Sequence, residues 1–482
     1  MVSKGVDYYT YVEVSSPDFA ISVTGPKVGG PCGQTNNFQQ QNLQIDSKNI
    51  PGLFNYTGTL AWTASNSGNA LVSGSEQISS LTGDLEGGSM GVMLSTPSTA
   101  GGGYALSYGF YDAGSGIGTE LTNQDQLYVY LTEDLSGWMG GLEQAHSQQV
   151  AAAPFSSFVL AGAHDAGMFY LGTVQAILAS SYAAALVMGL LTIPIIGPFL
   201  AAVTASQAPR VITNLAMTQK DSVAAMLNLG IRYFDFRPGT LYPALAAFSP
   251  GVRYHQHSMI PGYPYVQFLQ DVLLWLSSNP TEIVVVSLNV QGMEEASMNP
   301  SPNDLAADLA AAFVATKVTG ISVGGPSELS QTYPDLISSN IRLIFLNQIP
   351  IPPGQTDPYA ASKYDSYNDS AYATLVPGPV IQAFENMTSS TTDDYVVLQM
   401  QATSTSMEAT VIVPSVATLS DASSPLMCTK GGMDIATNPW ILENAASNLP
   451  SDKLLILLND FADNCTARTA LAVTMSRLGI PS

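Results

Sequence analysis

The chain has 482 residues, a formal net charge of −22 and an isoelectric point near 4.2. With no basic face to displace phosphate counterions, this balance argues against nucleic acid as a partner, and any membrane contact would have to be apolar rather than electrostatic. Forty-six per cent of the residues are hydrophobic and 11 per cent are charged, enough to build sizeable cores and too apolar for a largely disordered chain.

Residues 1–146 read as an all-β domain. The alternating runs "DYYTYVEV" and "DFAISVTG" are followed by "GTLAWTAS", "GSMGVMLST", "YALSYGFYDAG" and "DQLYVYLTE", with Gly, Ser and Asn turns at short intervals. Period-two alternation between turn clusters predicts an antiparallel sandwich. No catalytic cluster falls within it. It reads either as a structural domain or as a module that binds a membrane or a glycan. Residues 147–156 read as a linker.

From residue 157 the pattern alternates strand and helix. "SFVLAGAH" is a strand, "DSVAAMLNLG" a helix with Gly230 at its C-cap, and "IRYFDFR" a second strand. The helix "YVQFLQDVLLWLSSNP" stops at Pro280, "TEIVVVSLN" is a buried strand, and another helix starts at an Asn303 N-cap. "IRLIFLNQ", "YVVLQMQA" and "KLLILLNDF" are further strands. Repeated strand–helix units over 157–482 predict an α/β fold, a distorted TIM-type (β/α) barrel, with its chemistry at the C-terminal ends of the strands.

An insertion over 176–205 interrupts this barrel. Residues 182–204 carry no charge over 23 residues, long enough to span a bilayer. Gly189, Pro194, Gly197 and Pro198 break the stretch, and it falls between two strands of one barrel. It therefore reads as a helical hairpin at the mouth of the site, either packed on the sandwich or dipping into a lipid surface.

The rare cations are clustered. Arg210, Arg232, Arg237 and Arg253 fall within 44 residues, and His164, His255 and His257 lie in the same region. In so acidic a chain this suggests an anion site, although Arg210, Arg232 and Arg253 each also read as surface residues. Cys32, Cys428 and Cys465 are an odd count; a Cys428–Cys465 bridge is open. The start "MVSKGVDYYT" has no apolar signal-peptide core. Sequons at Asn55, Asn368, Asn386 and Asn464 would fit secretion, but most such matches in a chain rich in Ser, Thr and Asn arise by chance; the plain reading is a cytoplasmic or leaderless protein, with a trimmed secreted one open.

Three short segments carry the chemistry: "AGAHDAGMF" with His164 and Asp165, "IRYFDFRPG" with Asp235 and Arg237, and "VRYHQHSMIPG" with His255 and His257. Two histidines suit acid and base work near neutral pH, and an arginine fork binds two phosphate oxygens at once. Together they form a set for cleaving a phosphodiester.

These motifs, with the spacing to "NPTEIVVVSL", resemble the catalytic barrel of the bacterial, metal-independent phosphatidylinositol-specific phospholipases C. The resemblance covers about 155–290 well, thins toward 470 and does not reach 1–150. It implies His164 as general base, Arg237 as phosphate clamp and a second histidine as acid assisted by Asp165. His255 is preferred for that acid because "YHQHS" is similar to the family's "YHGHT", with His257 nearly as good a fit. It further implies Asp460 as the carboxylate orienting the base, with Asp235 lining the site and pairing with Arg237. Arg237 stands where metal-dependent relatives carry a second acid, so no metal and no cofactor are expected. Asn289 replaces the family's lysine after the third strand, at a substrate-binding position. The implied reaction converts phosphatidylinositol or its glycosylated anchor to diacylglycerol and a cyclic inositol phosphate. Two alternatives stay open: a phosphodiesterase for another phospholipid or a glycerophosphodiester, and a retired barrel that binds membranes or glycans.

Overall fold

The computed structural model describes residues 3–481 apart from 14–17, 28, 33–37, 115–123, 194–196, 198–199, 201–206, 353, 356–357, 367–373, 388–391 and 403–419. Near the N-terminus lie two five-stranded sheets. One runs Gln39–Asp46, Ser3–Val12, Gln124–Thr132, Tyr104–Tyr111, Thr99–Gly101; the other runs Gly29–Cys32, Phe19–Thr24, Thr57–Asn66, Asn69–Ser79, Leu85–Gly88. Alternate residues point into a shared core of Val6, Ile21, Leu60, Phe110 and Val129.

The expectation of a wholly antiparallel sandwich needs correction. Ser3–Val12 pairs in parallel with Gln124–Thr132, from Gly5 opposite Gln124 to Val12 opposite Leu131. Alternation specifies which face of a strand is buried, but not the direction of its neighbour. The run "GSMGVMLST" is not a strand either; Met90–Ser95 form 3-10 turns. Met90, Val92 and Leu94 alternate as in a strand, but Gly88 and Gly91 are poor strand formers.

The α/β part is built on an eight-stranded sheet in which every neighbouring pair is parallel. Its order is Ser322–Gly324, Ile341–Asn347, Val284–Leu288, Tyr233–Phe236, Val159–Ala163, Leu454–Asn459, Tyr395–Gln399, Tyr364–Ser366. Runs such as Val284-Val285-Val286 and Leu454–Leu458 are buried throughout, as strands covered on both faces must be. The two ends of the sheet approach through a parallel bridge between Asn347 and Ala361, so the barrel is curled and incompletely closed. Gly230 takes φ +97°, which ends the helix Val223–Asn228 and turns the chain into Tyr233–Phe236. The helix Pro302–Thr316 is capped by Ser301, with a reciprocal bond to Asp304, and not by Asn303: Pro302 cannot donate and takes the first helical position.

Residues 147–156, expected to be a linker, are the last turn of the helix Trp138–Ala151 and a 3-10 turn at Phe155–Ser157. Trp138, Met139, Leu142 and Val150 belong to the barrel's core, although the sequence placed most of them with the sandwich. The Met139 and Gly140 amides at the start of this helix face the Glu282 carboxylate. Glu282 also pairs with Arg232 at 2.8 Å, both side chains being fully buried, so Arg232 is neither a surface residue nor part of an anion site. Arg210 pairs with Asp421, and Arg253 with Asp304 and Asp308. Cys428 and Cys465 are free and buried.

The described part of the insertion folds as Gly172–Leu178 and Ala183–Leu190, bent by 114°. No single helix among the described residues is long and apolar enough to cross a membrane. Leu186 and Leu190 join the apolar cluster that holds the sandwich core, and Tyr182 packs edge-on to Phe248 at 5.9 Å. Positions 194–196, 198–199 and 201–206 of the expected hairpin lie outside the described residues.

Candidate active site

Polar side chains gather where the parallel strands end. His164 follows Val159–Ala163, Arg237 follows Tyr233–Phe236, Asn289 follows Val284–Leu288, and Asp460 follows Leu454–Asn459. His255 and His257 arrive differently. They lie on Tyr254–His257, in a small antiparallel sheet with Pro238–Gly239 and Ile260–Pro264, rather than at a barrel strand end.

His164 is aimed by the strand beside it. Its amide donates to the Asn459 carbonyl at 3.1 Å, and its own carbonyl accepts from Gln219 Nε2 at 2.8 Å and Thr218 Oγ1 at 3.2 Å. The ring Nδ1 meets Asp460 Oδ1 at 2.8 Å. Nε2 lies 3.2 Å from Arg237 Nη2 and 3.6 Å from Asp165 Oδ2. Burial disfavours the charged ring, but the Asp165 and Asp460 carboxylates outweigh it and raise the pKa to about 9.

Asp165 is the hub of the site. It takes φ +43°, a left-handed conformation uncommon outside glycine, which turns its carboxylate back over the strand ends. Oδ1 pairs with Arg237 Nε at 2.9 Å and His255 Nε2 at 3.2 Å. Oδ2 faces His164 Nε2 at 3.6 Å and His257 Nε2 at 3.8 Å. Burial would favour the neutral acid, but Arg237 and the histidines prevail and hold this carboxyl well below the usual range.

Arg237 completes its fork on Asp235 Oδ2 at 3.1 Å and the Gln291 carbonyl at 3.3 Å. Asp235 is held in turn by Asn289 Nδ2 at 2.5 Å. Asn289 thus bonds Asp235 directly, at the position expected to bind substrate. His164, Asp165 and Asp235 each offer an atom within 4.8 Å of the others, a spacing a cation could use. The Arg237 guanidinium already reaches all three, so positive charge is supplied there by the chain itself.

The two hairpin histidines differ sharply. His255 is fully enclosed, edge-on to Phe236 at 4.9 Å. Its Nδ1 accepts from the Arg237 amide at 3.2 Å while Nε2 faces Asp165, so both nitrogens are committed. Burial pushes its pKa down, which keeps it neutral. The side chain of His257 is 34% exposed. Desolvation, felt at its buried Nδ1, and the Arg237 charge depress its pKa to about 4 against the pull of Asp165.

Beside this cluster is a cavity of about 30 Å³, room for a water molecule and far less than an inositol ring needs. Gln291, Gln348, Tyr364 and Gln399 line its far side, and Gln291 Nε2 donates to Tyr364 Oη at 2.8 Å. Sequence reasoning missed these residues, although Gln348 and Gln399 sit at strand ends and the same strand-end rule reaches them. It also missed Gln219, whose amide joins three backbone groups: the carbonyls of His164 and Asn459, at 2.8 and 3.0 Å, and the Ala462 N–H at 2.8 Å. Nothing local marks that glutamine, because its partners are 55 and more residues away.

Fold and site together define an α/β protein with a parallel, barrel-like sheet and a His–Asp–Arg cluster at its strand ends. No protein-family description and no curated protein matches the sequence. Among solved structures, a variant of the phosphatidylinositol-specific phospholipase C from Staphylococcus aureus is similar at 13% identity. That match covers 70% of this chain and 96% of that one, with a TM-score of 0.40. The phosphatidylinositol-specific phospholipase C from Listeria monocytogenes is similar at 13% identity over 70% of this chain and 98% of that one, with a TM-score of 0.38.

Proposed function

We propose that the chain cleaves a phosphodiester of the phosphatidylinositol type by acid–base catalysis, giving diacylglycerol and a cyclic inositol phosphate. The observation that carries this reading is the placement of Arg237 between the carboxylates of Asp165 and Asp235, with its Nη2 at 3.2 Å from His164 Nε2. A bound phosphodiester meets the second N–H of Arg237 Nη1 and displaces the Gln291 carbonyl, the neutral oxygen partner of the fork, and the positive charge stabilises the extra negative charge that develops on phosphorus.

His164 Nε2 accepts the proton of the inositol 2-hydroxyl as its oxygen attacks phosphorus. The bond from phosphorus to the diacylglycerol oxygen breaks, and that oxygen takes a proton from the second histidine. Asp460, at Nδ1, fixes the tautomer that leaves the Nε2 lone pair free; a lone pair is also what a guanidinium N–H can meet at this distance. The acid is His257, reversing the preference for His255: His257 is partly open and shares Asp165 Oδ2 with His164, whereas His255 has no nitrogen to spare. His255 holds Asp165 and the Arg237 backbone in place. Admitting the head group requires the Gln291–Tyr364 rim to part.

Incubation with phosphatidylinositol vesicles tests the reading. Cyclic inositol phosphate should form at the same rate with and without chelator, and His164→Ala should lower kcat by roughly 10²–10⁴-fold. No cyclic product, or activity abolished by chelation, overturns it.

The protonation states favour a second assignment in which the roles exchange, since His164 is charged below about pH 9 and His257 neutral above about pH 4. A substrate with a 4-nitrophenol leaving group separates the two. It needs no acid, so it restores activity to whichever histidine variant has lost the acid and not to the one that has lost the base.

A further inference from the structure

We propose that the loop Pro51–Tyr56 of the sandwich is a bilayer-docking tip, inserting Leu53 and Phe54 among lipids that carry uncharged, hydroxyl-rich head groups. Leu53 is 88% exposed and Phe54 82% exposed, side by side, with Tyr56 partly exposed beside them. Scattered single apolar side chains on a surface are ordinary; two adjacent large ones held almost entirely in water are not. Phe54 is also held at φ +60°, a conformation that costs a non-glycine residue energy and that turns its ring outward.

The tip is preorganised. Asn55 Nδ2 donates to the Pro51 carbonyl at 3.0 Å, and the Thr57 amide donates to Asn55 Oδ1 at 3.2 Å. At its base Ser80 binds the Tyr56 carbonyl through both its amide and its hydroxyl, each at 2.8 Å. A rigid apolar tip enters an interface without paying to order itself.

A second observation names the head group. Pro51 and Asn55 also line a cavity of about 690 Å³, together with Thr57, Thr59, Gln77 and Glu86. Its lining offers hydroxyls, amides and one carboxylate but no basic side chain. That set hydrogen-bonds sugar or polyol hydroxyls and offers no cation to a phosphate. The net charge of −22 turns the whole chain away from anionic bilayers in the same direction. The purpose of the tip rests on the lipid-substrate reading: it would hold the chain at a lipid surface.

Binding of the full-length protein to phosphatidylcholine vesicles containing a neutral galactolipid tests this without any turnover. The Leu53→Ser/Phe54→Asn variant, with asparagine chosen because it tolerates positive φ, should lower the bound fraction at least tenfold while leaving the melting temperature unchanged. Unchanged binding by the variant, or stronger binding of the parent protein to phosphatidylglycerol vesicles than to galactolipid vesicles, overturns the proposal. Loss of binding in a protein that turns over no phosphatidylinositol would keep the tip and retire the catalytic reading.

Discussion

Asp165 shows how one side chain can engage four cationic or titratable neighbours at once. Its two oxygens serve Arg237 and His255 on one side and His164 and His257 on the other. Asp165 pulls His164 and His257 the same way, upward; Asp460 adds to that pull at His164, while desolvation and Arg237 overcome it at His257, so the two part to about 9 and about 4. For a pair that must share one proton between them, kcat/KM should be flat between these values and fall tenfold per pH unit outside them, whichever histidine is the base. Asp460→Asn removes an anion that raises His164, so the alkaline limb should move down by about 1–2 pH units, read directly from the pH profile. The linked effect on folding has a definite sign. The folded-state pKa of His164 lies above its ordinary value of 6.5, so the stability it contributes is complete below that value and is lost as pH rises through about 9.

At the scale of elements, the segment Thr218–Asp221 ties the site together. Thr218 and Gln219 hold the backbones of both strand ends that carry His164 and Asp460. The next two residues, Lys220 and Asp221, grip the sandwich: Lys220 Nζ donates to the Thr96 carbonyl at 2.9 Å, and Ser98 donates to Asp221 through its amide and hydroxyl at 2.6 and 2.7 Å. Gln219→Ala leaves the buried Ala462 N–H without its partner and takes one of two donors from each of the His164 and Asn459 carbonyls, and should cost about 1–3 kcal/mol of stability in denaturant unfolding. A positioning role predicts more than that. Gln219→Ala should lower kcat with KM nearly unchanged and shift the alkaline limb. A normal pH profile in a correctly folded variant would make Gln219 merely structural.

At the scale of the molecule, the sandwich and the barrel share buried polar contacts. Asn464 donates through its amide to the carbonyls of Ala105 and Tyr130 and to Thr132 Oγ1, at 2.9 to 3.1 Å. The buried Lys430 pairs with Asp434 and Asp463, and Tyr130 Oη donates to Asp434 Oδ2 at 2.9 Å. Such burial also leaves the sequon at Asn464 closed to modification. Expressed alone, residues 157–482 would expose these groups and lose the helix Trp138–Ala151 from the barrel core. That fragment should show no cooperative thermal transition, whereas the full chain should; a sharp calorimetric transition in the fragment would refute the dependence.

The sequence by itself determined six of the eight strands of the barrel-like sheet and the residue types of its site; the short edge strands Ser322–Gly324 and Tyr364–Ser366 are three residues each and too brief to show a pattern. Runs such as "TEIVVVSLN" and "KLLILLND" are apolar because both faces are covered, and the polar residue ending each run marks the end where strands expose chemistry. Pairing direction in the sandwich, the helix over the expected linker and the burial of Arg232 were illegible, because each depends on partners distant in the chain. The same holds for His255 and His257. Two residues apart on one strand, they are chemically identical in the sequence, and only the packing of Phe236 and Asp165 around one of them separates an enclosed, fully bonded ring from one left partly open to solvent.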